Sequence, residues 1–214
     1  MTIAILADDT LKNEWLQHQF PEDITFIWVD SMSSLTKLDA EAYADLLFRN
    51  DPERNQHLAK LLPKPVLVNA VEYTTADIRH PFIRINGWPT LLKRNIAEIV
   101  LPVSITENAV KELFAAFNWQ YQLAPDVPGM ITARVLAMII NEAYFTLGAG
   151  VSSREEIDIA MKLGTNYPMG PFEWSEKIGL QRVYALLQQL HLTDTRYAPA
   201  PALESAVQSQ QSNP

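Results

Sequence analysis

Over its first hundred residues the chain alternates short apolar runs with stretches in which apolar residues recur at helical intervals. Ile3 to Leu6 has the length of a buried strand, and Asp8, Asp9 and Thr10 offer helix N-caps before Leu11, Trp15, Leu16 and Phe20. Ile24 to Val29, β-branched and aromatic, predicts a second strand ending at Asp30. Asp45 to Phe48 reads as a third strand, Pro52 to Leu62 as a short helix and Pro65 to Val71 as a fourth strand. Ile83 to Ile85 and Ile96 to Val100 have strand character, and Ser104 to Phe117 carries a helical pattern. Apolar strands separated by helices predict an α/β half whose parallel sheet is covered on both faces.

The character changes after Pro125. Asp126-Val127-Pro128-Gly129 breaks the chain, and Ile131 to Leu147 is apolar on more than one face, as in a helix buried here or against another subunit. Ser153 with Glu156 forms a capping box ahead of Ile157, Ala160 and Met161. A turn-rich loop, Gly164 to Pro171, precedes helices near Phe172–Ile178 and Leu180–Leu192, with Gly179 placed as the C-cap between them. The pattern predicts an α/β domain over 1–125, an all-α domain over 126–207 and a polar, disordered tail over 208–214.

Composition narrows the partners. A net charge of −8 argues against nucleic acid and against an anionic membrane surface. The chain has no cysteine, which excludes disulfides, thiolate metal sites and a Cys nucleophile. The acidic start lacks the pattern of a signal peptide, and no window reaches the roughly 18 apolar residues of a membrane span. A soluble, cytoplasmic protein is expected. His18, His57, His80 and His191 are scattered, with no metal-ligand spacing among them. Glu155–Glu156 fits helix capping better than paired acid–base chemistry. Trp88 and Trp174 fit a core or an interface better than a ligand platform.

Two segments resemble a known family. Pro128-Gly129-Met130-Ile131-Thr132-Ala133-Arg134 running on to Asn141-Glu142-Ala143, and Asp158 through Gly164, Tyr167-Pro168-Met169-Gly170-Pro171, Glu173 and Trp174, are similar to the C-terminal domain of 3-hydroxyacyl-CoA dehydrogenases. With Ile178-Gly179-Leu180 the match runs from Pro128 to Leu180. The resemblance implies a shortened Rossmann-like domain followed by a helical dimerisation domain, hence a homodimer, an acyl-CoA-type ligand and, in an active member, NAD. For the chemistry of the Tyr167–Pro171 loop, a rigid connector remains the preferred reading, because nothing there titrates near neutrality.

The N-terminal half departs from what the resemblance implies. Where G-x-G-x-x-G should cradle a pyrophosphate, the chain reads Ala7-Asp8-Asp9-Thr10-Leu11-Lys12. Asp30 stands where the family places the ribose-binding acid, and equally where a strand-ending turn residue would stand. Glu98 matches the acid that orients the catalytic His, but the position twelve residues earlier is Asn86, an amide that cannot act as a base. The substrate-contacting Asn falls at Ala133, the family's Ser near Val71 although Asn69 matches, and a strand-ending Glu at Arg49. Ser31 to Tyr43 leaves too little chain for the helical hairpin that covers the acyl-CoA. The expectation is a pseudoenzyme of acyl-CoA and fatty-acid metabolism with a binding, regulatory or structural role and no cofactor. The alternative is an active NAD-dependent oxidation of 3-hydroxyacyl-CoA to 3-oxoacyl-CoA at an unusual site. A third possibility is a new reaction using Asp8, Asp9 and Glu98.

Overall fold

A computed structural model describes residues 1–212. The chain divides into two compact units, Met1–Met130 and a second from Ile131 onward.

The first unit is a seven-stranded sheet of order β2-β1-β3-β4-β5-β6-β7. Its strands are β1 (Thr2–Leu6), β2 (Thr25–Val29), β3 (Ala42–Asp45), β4 (Val66–Val68), β5 (Ile83–Ile85), β6 (Ile96–Val100) and β7 (Gln120–Leu123). All neighbours are parallel except β5 and β6, which form an antiparallel pair. Helices α1 (Asp9–Trp15), α2 (Met32–Leu35), α3 (Pro52–Ala59), α4 (Thr75–Ile78) and α5 (Glu107–Ala116) provide the crossovers. Strand alternation divides the core into two layers. Ile3, Ile5, Ala44, Ile85 and Ile99 face α1 and α5 through Leu11, Trp15 and Phe114. Ala4, Leu6, Tyr43, Val66 and Val68 pack on the other face with Leu35 and Leu58.

Several expected boundaries move. The third strand is Ala42–Asp45 rather than Asp45–Phe48. Asp45 ends it because its Oδ1 accepts the Leu47 N–H at 3.1 Å and turns the chain. Helix α1 stops at Trp15, well short of Phe20. The sheet is mixed rather than wholly parallel, since β6 returns directly beside β5. Residues 126–130 stay with the first unit, held by Gly129 N–H donating to Val71 O at 2.8 Å and by Asp126 bonding to Arg84.

The second unit contains α6 (Thr132–Gly148), α7 (Arg154–Thr165), α8 (Pro171–Ile178), α9 (Leu180–His191), a short 3₁₀ turn at Thr195–Tyr197 and α10 (Pro201–Ser212). The polar stretch from Gln208, expected to be disordered, continues α10 to Ser212, while 213–214 lie outside the described residues. What holds this helix is its buried Leu203 and Val207, together with the buried Asn141 side chain. The Asn141 amide donates to Ala198 O at 2.9 Å and accepts from Ala200 N–H at 2.8 Å.

The loop before α8 is explained by a buried carboxylate. Asp158 accepts the N–H groups of Phe172 and Glu173 at 2.8 and 3.1 Å, so a residue of α7 caps α8. A Cβ on Gly170 would stand 2.2 Å from Asp158 Cγ, which leaves room only for glycine. Pro171 then occupies N1, where no donor is required. Gly170→Ala should therefore destabilise the protein by about 1–3 kcal/mol through overpacking, read as a lower midpoint in urea unfolding with an unchanged slope. An unchanged midpoint would contradict this account.

Candidate functional site

Antiparallel register brings two of the expected site residues together. β5 and β6 pair Arg84 with Val100 and Ile85 with Ile99, and one further step sets Asn86 opposite Glu98. The Asn86 N–H donates to Glu98 O at 2.9 Å, and Asn86 Nδ2 donates to Glu98 Oε2 at 2.8 Å. Both side chains are buried. The amide orientation follows from this contact, because the flipped form would set Oδ1 against a carboxylate acceptor. Asn86 Oδ1 is buried and has no hydrogen-bond partner among the described residues. The pair holds shape, and the Asn86 amide cannot accept a proton as a general base near neutrality.

Asp30 lies elsewhere. It follows β2, four strands from β5, about 19 Å across the sheet at ordinary strand spacing. Its carboxylate is exposed and makes no hydrogen bond or ion pair among the described residues. Ser31, not Asp30, caps α2 by accepting the Ser34 N–H at 3.3 Å. Asp30 itself forms the bend that ends β2, as a strand-terminating turn residue would.

The turn after β1 decides whether the dinucleotide implied by the resemblance would fit. Asp8 is the N-cap of α1, and its Oδ1 accepts the Leu11 N–H at 2.8 Å. An anionic side chain thus engages a helix amide of the kind that would receive a pyrophosphate oxygen. Asp9 adds a second carboxylate in the first turn, and Lys12 Nζ lies 5.5 Å from the Trp28 ring centroid. Each carboxylate near contact with a phosphate opposes it by on the order of a few kcal/mol at a partly buried site. The residues present do not fit the group.

Three further features were not read from the sequence. Arg84, wholly buried on β5, donates to Ala70 O at 2.9 Å and to Asp126 Oδ1 at 2.5 Å. Burial lowers its pKa, against the pull of Asp126. Asp45, also wholly buried, takes a two-pronged contact from Arg54 with both distances 2.6 Å. Burial raises its pKa while Arg54 opposes the rise. Glu14 on α1 is buried and accepts the Thr90 N–H at 2.6 Å, holding the loop after β5 with Thr90 at φ 75°. A lone charge inside a strand-like apolar run, as in Ile83-Arg84-Ile85, is the available sequence signal for a buried, paired ion.

The remaining candidates have structural roles. Asn69 Nδ2 donates to Leu46 O at 3.0 Å and Gly87 O at 2.9 Å, and its Oδ1 accepts the Gly87 N–H at 3.0 Å. Trp88 is buried, with its Nε1 donating to Glu72 at 3.0 Å. His80 stacks on Phe82 ahead of β5, at the opposite end of that strand from Asn86. Ala133 and Val71 are buried, whereas Arg49 is exposed beyond the end of β3. Glu156 forms its capping box with Ser153, and Trp174 is a buried ring beside Tyr167. The described residues contain no group of three or more His, Cys, Asp or Glu able to hold a metal. None of their helices is long and apolar enough to cross a membrane.

A mostly parallel, helix-covered sheet with its chemistry-bearing residues at strand ends is the dehydrogenase type of nucleotide-binding architecture. A profile of the 3-hydroxyacyl-CoA dehydrogenase C-terminal domain matches residues 129–213. The chain is 42% identical over 193 residues to a 3-hydroxybutyryl-CoA dehydrogenase of Bradyrhizobium diazoefficiens, covering 81% of this chain and 66% of that one. It is 44% identical over 109 residues to a 3-hydroxyadipyl-CoA dehydrogenase of Escherichia coli, covering 50% of this chain and 23% of that protein. The crystal structure of (S)-3-hydroxybutyryl-CoA dehydrogenase from Ralstonia eutropha shares the fold at TM-score 0.73 and 20% identity, over 98% of this chain and 94% of that one. The chain belongs to the 3-hydroxyacyl-CoA dehydrogenase family. It spans 66% or less of the length of these two sequence relatives.

If Asn69 is a structural tie, Asn69→Ala should cost about 2–4 kcal/mol, because it strands the buried Leu46 and Gly87 backbone groups. Chemical denaturation measures this, and a loss below about 0.5 kcal/mol would show the tie to be dispensable.

Proposed function

We propose that this chain is a family member that has given up hydride transfer and acts as a binding or structural protein, with acyl-CoA-type molecules as its ligand class. The observation that carries this reading is the buried Asn86–Glu98 pair, which puts an amide where the resemblance expects an imidazole base. The capped turn at Asp8 supports it independently by engaging an amide near the expected phosphate site. The ligand class rests on relatives named for hydroxyacyl-CoA substrates. The same names, with Glu98 and Asp30 still in place, favour an active NAD-dependent enzyme as the second reading. Titration with NADH, with and without acetoacetyl-CoA, separates the two. No saturable NADH binding at millimolar concentration is expected, and no NADH formation from 3-hydroxybutyryl-CoA. NADH formation that disappears in Glu98→Ala would overturn the proposal.

We also infer a homodimer formed through α6. Its outer stripe carries Ile131, Val135 and Phe145, which are 41%, 57% and 41% exposed, together with Arg134, Met138 and Glu142. The stripe is palindromic in character about Met138. Antiparallel pairing with a second copy sets Ile131 opposite Phe145 and Arg134 opposite Glu142, as a two-fold interface requires. Glu142 has no ion-pair partner within the described residues. Light scattering should give a dimer at micromolar concentration. Arg134→Glu and Glu142→Arg should each shift it to monomer, and the double variant should restore the dimer. A dimer indifferent to both single charge reversals would exclude this register.

A further inference from the structure

The two edges of the sheet are built to different specifications. β7 reads Gln120-Tyr121-Gln122-Leu123, polar and largely exposed, as a solvent-facing edge ordinarily is. β2 forms the opposite edge with Thr25-Phe26-Ile27-Trp28-Val29. It has no charge and no proline, and its four large apolar side chains are each half-buried. This is the composition of an internal strand.

Both layers of the core end unfinished there. Phe26 lies edge-on to Trp15 at 6.2 Å between ring centroids, and Trp28 lies under Lys12 on the same face. Val29 packs into the layer on the other face. Among the described residues, β2 pairs with β1 alone. Thr25 N–H donates to Met1 O at 2.8 Å, and Val29 C=O accepts from Ala7 N–H at 3.4 Å. Strand alternation therefore turns the N–H and C=O groups of Phe26 and Trp28 away from β1. In the doubly wound strand order another strand lies beyond the second. Here the chain between β2 and β3 holds only the one-turn helix α2.

Charge restricts what can fill the place. Glu22 and Asp23 precede β2 and Asp30 follows it, all exposed and without ion-pair partners among the described residues. We propose that the β2 edge receives a strand from another protein: an extended segment with apolar residues on both faces and lysine or arginine beyond each end. Main-chain hydrogen bonds to Phe26 and Trp28 would hold it, and the flanking acids would select it. A second copy of this chain is a poor occupant. Two-fold antiparallel pairing about Ile27 would bring Glu22 and Asp23 of one copy towards Asp30 of the other.

The probe is the synthetic peptide Lys-Lys-Val-Ile-Val-Ile-Val-Lys-Lys, with residue-resolved amide hydrogen exchange on the full chain. Saturating peptide should slow exchange at Phe26 and Trp28 by at least about tenfold, leaving Thr25 and Ile27 unchanged. Asp23→Asn combined with Asp30→Asn, both at exposed positions, should weaken binding by roughly tenfold. Ile27→Lys, which puts a charge on the edge, should abolish binding, and the same peptide with glutamate for every lysine should not bind. Absence of saturable binding, or protection confined to other strands, would overturn the proposal. So would concentration-dependent protection of Phe26 and Trp28 without peptide, which would assign the edge to a second copy.

Discussion

The guanidinium of Arg84 is fully buried in the middle of β5, and much of the first unit is arranged to satisfy it. It donates to Ala70 O, to Val71 O at 3.4 Å, to Val127 O at 3.2 Å and to Asp126. Asp126 in turn accepts the Thr75 N–H at 3.0 Å. A buried charge deprived of its partner costs about 3–5 kcal/mol, so the segments that supply these acceptors are not free to drift. Val71 also receives the Gly129 N–H, which carries the constraint to the end of the unit. The adjoining Asn69–Gly87 and Trp88–Glu72 bonds extend the same lattice across the ends of β4 and β5. Asn86 and Glu98 sit within this framework, and their geometry is inherited from it.

That framework gives Glu98 a structural role of its own. Removing the carboxylate would leave the Asn86 amide nitrogen buried without the acceptor it now uses, a penalty of about 1–3 kcal/mol. A structural role thus suffices to account for Glu98. The change at the turn after β1 is physically separate. There the donors of a helix N-terminus meet an internal carboxylate, which satisfies one orphan amide and adds favourable charge at the positive end of the helix. General-base catalysis contributes roughly 10²- to 10⁴-fold, and phosphate binding at a helix terminus is a different term altogether. The Asn86–Glu98 pair and the Asp8 cap are unrelated local arrangements, each stabilising the fold by itself.

The sequence disclosed elements wherever local pattern and tertiary context agree. Ile83–Ile85 and Ile96–Val100 are strands because β-branched runs of that length have little else to form, and the Ser153–Glu156 box announces α7 through its own side chains. It misled where a tertiary partner decides. Asp45 looked like the start of a strand because three apolar residues follow it, yet its carboxylate turns the chain at Leu47 and binds Arg54. Gln120 and Gln122 mask the alternation of β7, and the polar composition of α10 hides Leu203 and Val207. The Asn86–Glu98 pair is marked in the sequence only by the family resemblance, and the antiparallel return that sets the two residues opposite each other belongs to the fold. The pairing of Arg84 with Asp126 is not legible there, because 42 residues separate partners that only the fold unites.

The family match needs the same physical weighing. The matched profile covers the second unit, where the motif residues have identifiable packing duties. Asp158 caps a helix other than its own, Gly170 is required by the approach of Asp158, and Asn141 fastens the segment before α10. Residues of this kind are constrained by close packing and buried hydrogen bonds whatever reaction the protein performs. Their presence is therefore strong testimony to fold and weak testimony to hydride transfer, which depends on separate groups in the first unit. There the groups to weigh are an amide at Asn86 and a capping carboxylate at Asp8, neither of which the profile match over 129–213 reaches. The residues that testify to ancestry and those that bear on activity lie in different units of this chain, so the first do not speak for the second.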